Sequence, residues 1–163
     1  MNTTAAARAQ ENETPKAQLF SLKTPYMQQG RVTQLVAETP NMRIHTKINA
    51  EGGENELHTH LAEDHSFIVL EGEMTVFDEK GNEMVVKPYQ GVLLPKGAYY
   101  RYLNTGDGNL VVLRIGAGVR NKRKAGEPLR VRPDGREILG GSVENKTVPP
   151  IEMPGKFFAE SAG

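Results

Sequence analysis

The segment Glu54-Asn55-Glu56-Leu57-His58-Thr59-His60-Leu61-Ala62-Glu63-Asp64-His65 decides how the rest of this chain is read. The chain has four histidines, and three of them fall between positions 58 and 65. His58 and His60 are two residues apart, so on a strand both side chains face the same way. The four residues after His60 allow a turn, and His65 then opens a run, Phe67-Ile68-Val69-Leu70, that is apolar on both faces. On that neighbouring strand His65 can approach the first two. Three neutral imidazoles suit zinc, copper, iron or nickel and leave open positions for water, substrate or oxygen. The alternative is a hairpin carrying surface histidines.

Working outward, short apolar runs alternate with turn signals from Val32 to Ile115. Expected strands are Val32–Glu38, Met42–Asn49, Leu57–His60, His65–Leu70, Glu73–Asp78, Glu83–Lys87, Gly91–Leu94, Tyr99–Leu103 and Leu110–Ile115. Gly, Pro and Asn clusters separate them, among them Thr39-Pro40-Asn41, Gly52-Gly53 and Pro95-Lys96-Gly97. Strands at this spacing indicate an all-β sandwich or barrel. The expected layout is an N-terminal arm over 1–30, a barrel over 31–118 and a C-terminal extension over 119–163. The first residues are small and polar. Ala5 to Gln10 can form a helical turn, but no apolar stripe would anchor it. Pro128 to Val131 is a further short strand candidate. Phe157 and Phe158 are costly to leave in water. Packing on their own barrel or on a second subunit would bury them, and a homodimer is expected on that account.

Composition sets limits. The 163 residues suit one domain with tails, and the hydrophobic share of 37% is low enough to leave part of the chain outside the core. Lys plus Arg equals Asp plus Glu at 20 each, so no global charge points to nucleic acid or an anionic membrane. The basic run Arg120 to Lys124 lacks interleaved aromatics and reads as a solvated loop. The chain has no cysteine, which removes disulfides, thiolate zinc sites and cysteine nucleophiles. No run approaches the length of a membrane helix, and the N-terminus lacks the apolar core of a secretory signal. A cytoplasmic location is the resulting expectation.

The spacing around the histidines resembles the first motif of the cupins, G-x5-H-x-H-x(3–4)-E-x6-G. Here Gly52, His58, His60, His65 and Gly72 fall in register, with His65 where the family has glutamate. The second motif, G-x5-P-x-G-x2-H-x3-N, is matched at Pro95, Gly97 and Asn104. Tyr89 stands at its first glycine and Tyr100 at its histidine. The resemblance implies a small all-β barrel of the double-stranded β-helix or jelly-roll type, often a dimer, with a metal inside. Carried over position by position, it implies His58, His60, His65 and Tyr100 as the ligand set. A site of three histidines without a carboxylate resembles the iron centres of cupin dioxygenases, although those take their third histidine from the second motif.

Tyr100 can be a phenolate ligand, a proton donor near the metal, or packing. Its ordinary pKa near 10 means ligation would need the metal to depress it. Tyr102 shares its parity and can line the cavity. Arg114, on the last core strand, can bind a substrate carboxylate or form a salt bridge. Glu63 and Asp64 can be ligands in place of His65, but the spacing to Gly72 favours His65 and leaves the two as solvated loop carboxylates. His45 shares parity with Arg43 and Lys47, opposite Met42, Ile44 and Ile48, and so is expected outside. Three functions remain in play. One is an Fe(II) dioxygenase acting on a small organic substrate. Another is an isomerase, lyase or cyclase using the metal as a Lewis acid, with zinc, nickel, manganese or copper as further metals. The third is a non-catalytic domain that binds a small molecule.

Overall fold

The computed structural model describes residues 14–118, 126–138 and 148–160. The basic run Arg120 to Lys124 and the turn proposed at Ala5 to Gln10 lie outside these residues. Among the described residues twelve strands form: β1 (Thr24–Gln29), β2 (Arg31–Thr39), β3 (Met42–Asn49), β4 (Gly53–His60), β5 (Asp64–Glu71), β6 (Met74–Phe77), β7 (Glu83–Val86), β8 (Gly91–Leu94), β9 (Tyr100–Asn104), β10 (Leu110–Ala117), β11 (Arg130–Val131) and β12 (Ile151–Phe158). The nine strands expected from the pattern all form, within a few residues at their ends. Every ladder between these strands is antiparallel.

Two five-stranded sheets, in the orders β2-β3-β10-β5-β8 and β11-β4-β9-β6-β7, make a jelly roll rather than one closed barrel. Their facing sides enclose the main core. Phe67, Val69, Val92, Leu94, Leu110 and Val112 come from the first sheet, and Met74, Val76, Val86, Tyr100 and Tyr102 from the second. On β5 and β10 the inward side chains alternate strictly, so His65 follows Phe67 inward and Arg114 follows Val112. Gly53 opens β4 at a point where a Cβ would collide with the backbone of Tyr102, which lets β4 and β9 close on each other.

On β3 the expected orientation is reversed. Lys47 lies 4.9 Å from the Tyr102 ring centroid and 5.6 Å from that of Phe67, so the Arg43, His45, Lys47 and Asn49 face points into the jelly roll. His45 is therefore an interior residue, contrary to the reading of its parity. The apolar face turns outward and is covered there. Ile48 and Val111 are fully buried with Met27, and Tyr26, Val32, Ala50, Leu70 and Phe158 pack around them.

The cover is a two-stranded sheet of β1 and β12, which pairs Thr24 with Phe158 and Pro25 with Phe157. The stretches expected to be an N-terminal arm and a C-terminal extension thus meet and form a second layer. Prolines 25 and 154 obscured these strands, since proline is confined to edges and irregular positions. The register shifts at Pro25/Met27 and Met27/Gln29 are such irregularities. Phe158 meets Tyr26 edge to face at 6.4 Å, and Lys23 Nζ sits 4.5 Å from the Phe157 ring centroid. Both rings are partly buried by contacts within their own chain.

Tyr89 takes φ 66°, a left-handed conformation that glycine adopts freely and a bulky side chain does not. This is the position where the resemblance placed a glycine. Met27→Ala is expected to cost about 2–5 kcal/mol, because the second layer cannot collapse onto the void, and urea unfolding would measure it.

Candidate metal centre

His58 and His60 project from β4, His65 from β5, Tyr100 from β9 and Arg114 from β10, and all meet between the sheets. The imidazole centroids of His58 and His60 are 5.2 Å apart, and those of His60 and His65 are 3.9 Å apart. The Tyr100 ring lies 4.7 Å from His58. The segment after His60 folds back as a turn and returns Glu63 to the same space. Glu63 is buried, so it is not the solvated loop carboxylate the sequence suggested. Asp64 does stay exposed and accepts a hydrogen bond from the Lys96 backbone amide at 2.8 Å.

One ligand atom each from His60, Glu63 and His65 falls within 4.8 Å of the others, so this trio can hold a metal ion. Glu63 Oε2 is 3.2 Å from His65 Nε2. Arg114 closes the group from β10, with one guanidinium nitrogen 2.8 Å from His65 Nε2 and the other 3.3 Å from His45 Nδ1. Its separation from Glu63 is 3.9 Å. Arg114 thus ties His45, His65 and Glu63 together. Gly116, paired with His65 across the ladder, leaves room for the imidazole, since a Cβ there would touch it at 3.4 Å. A cavity of about 300 Å³ lined by Pro40, Met42, Arg43, Glu63 and Gly116 opens beside the trio.

On the other side of His60, Glu54 Oε1 accepts a hydrogen bond from Lys47 Nζ at 2.6 Å. Glu54 Oε2 lies 3.4 Å from His58 Nε2. Burial raises the Glu54 carboxyl, but the charges of Lys47 and His58 outweigh it and hold the group well below the usual carboxylate range. Burial is the main influence on all three imidazoles and pushes each pKa down, so they are neutral at pH 7 and suited to metal. Burial and the Glu54 charge keep the Tyr100 hydroxyl protonated. That favours a proton donor over a phenolate. Its oxygen is 3.4 Å from His65 Nδ1. Tyr102 is fully buried in the main core, against Lys47 and Asn49.

His58, His60 and His65 lie together as the sequence reading expected, while Glu63 was set second to His65 and Glu54 and Lys47 were missed. Strand parity held the signal. Glu54 is in phase with His58 and His60 on β4, and Glu63 with His65. Lys47→Met would leave the Glu54 carboxylate buried without its cation. A loss of about 3–5 kcal/mol in chemical denaturation is expected.

Residues 45–116 match the family model described as the cupin domain. No curated protein matches the chain. Among solved structures, the chain is similar to a protein with a double-stranded β-helix domain from Klebsiella pneumoniae, at TM-score 0.55 and 18% identity over 64% of this chain and 93% of that one. It is similar to a protein of Thermus thermophilus, at TM-score 0.52 and 21% identity over 58% and 90%. The cupin domain of Cnp3 from Schizosaccharomyces pombe gives TM-score 0.50 and 20% identity over 56% and 67%. At these identities the likeness is one of fold. The family match covers both histidine strands and Tyr100 and agrees with the jelly roll described above, so residues 45–116 of this chain form a cupin domain.

Proposed function

We propose that this cupin is a mononuclear non-haem iron oxygenase, a dioxygenase acting on a small organic substrate. The observation that carries the reading is the grouping of His60, Glu63 and His65 ligand atoms within 4.8 Å. Two histidines and one carboxylate with open positions form the donor set of non-haem Fe(II) oxygenases. Glu63 adds a carboxylate to the His58, His60, His65 and Tyr100 set expected from the sequence, and a carboxylate among histidines suits Fe(II). When bound, the iron supplies the redox chemistry of oxygenation.

The chain's own residues supply the rest. Arg114 lies 2.8 Å from His65 Nε2 and, with Glu63, positions the imidazole at the site. The Tyr100 hydroxyl, 3.4 Å from His65 Nδ1, stands where it can hold or move a proton beside that imidazole. Phe67 and Val69 line the interior with apolar surface that excludes water from the reacting groups.

Oxygen uptake with candidate substrates should require added Fe(II). Equal turnover in the absence of oxygen would exclude the oxygenase. One observation favours a second reading, a metal-assisted isomerase or lyase. Tyr100 is a buried, protonated phenol at the site, and so can deliver a proton. In that case Tyr100→Phe should lower kcat by about a hundredfold or more with metal content unchanged. Full turnover in that variant would remove the proton donor.

A further inference from the structure

The centre holds two carboxylate–imidazole pairs, one on each side of His60, and they differ in what already fills them. The Glu63–His65 pair is occupied by a cation of the protein itself. Arg114 reaches His65 Nε2 at 2.8 Å, and because a guanidinium can only donate, that nitrogen's lone pair is taken. Among the described residues, the Glu54–His58 pair has no such partner between its facing atoms. His58 Nδ1 lies 2.9 Å from the Glu56 carbonyl oxygen, an acceptor, so Nδ1 carries the ring proton and Nε2 presents a lone pair. Opposite it, at 3.4 Å, stands Glu54 Oε2. Both atoms are buried, and neither has a hydrogen-bond partner among the described residues. Two acceptors face each other where water does not reach, an arrangement that costs about 1–3 kcal/mol per group unless a cation lies between them.

The spacing fits a metal ion. Bonds of about 2.1 Å at a tetrahedral angle set two donor atoms about 3.4 Å apart. Lys47 occupies only Oε1 of Glu54, so it keeps the carboxylate ionised and turns the second oxygen toward His58. We propose that Glu54 is the carboxylate ligand of the metal, acting with His58, and that Arg114 stands in for a cation at Glu63 and His65. Glu54 lies between Gly52 and His58, outside the ligand positions of the family motif. The inference rests on the metal-centre reading above and changes which carboxylate completes it.

Crystals of the full chain loaded with Co(II) alone test this directly, because anomalous scattering locates the ion without any substitution. The expected peak lies within about 2.3 Å of Glu54 Oε2 and His58 Nε2. A peak bonded to Glu63 and His65, with Glu54 out of reach, would overturn the assignment and leave the oxygenase reading standing. No bound Co(II) at all would overturn both. In solution, Glu54→Gln should weaken Co(II) binding at least about tenfold, while Asp64→Asn, at an exposed carboxylate, stays within about threefold of the wild type. The reverse order would overturn the proposal. Should Glu54→Gln fail to fold, the crystal result decides alone.

Discussion

The centre depends on one buried ion pair. Lys47 and Glu54 meet at 2.6 Å with their side chains 5% and 15% exposed, inside a space otherwise walled by Phe67, Tyr100 and Tyr102. A charge in such a place is unfavourable alone and acceptable only with its partner. The pair therefore fixes both strands that carry it. β3 must turn Lys47 inward, and β4 must turn Glu54, with His58 and His60 in phase, toward it. The reversal of β3 follows, and with it the outward apolar face that β1 and β12 cover.

This explains why the sequence conveyed the strands well and their faces less well. Turns at Thr39-Pro40-Asn41, Gly52-Gly53 and Pro95-Lys96-Gly97 bound strands wherever the chain is folded, so those limits were legible. Facing on β3 was not. Pattern reading assumes that the apolar side is the inner one, and it fails where the interior is a polar site and the exterior is roofed. β1 and β12 escaped notice for a related reason. Each is short on alternation and holds a proline, and each is stable only because the other pairs with it across the chain.

The histidines were legible because they are scarce: three of four fall in eight residues. The carboxylates were not, because acidic residues are abundant and most are solvated. Only burial separates Glu63 from Asp64, its exposed neighbour. A loss at one motif position was visible in Tyr100, while the donors that make up for it lay off the motif. The electrostatic consequence is a site with acceptors on both sides of His60 and basic groups, Lys47 and Arg114, behind them.

The sheet of β1 and β12 also bears on how the protein is made. Its strands are separated by more of the sequence than any other pair among the described strands, so their contact closes the largest loop. During synthesis, the outer faces of Ile48 and Val111 exist long before β12 leaves the ribosome. For that interval the nascent jelly roll carries a sticky apolar flank beside the unpaired edge of β1, a surface on which a chaperone can act until the last strand arrives.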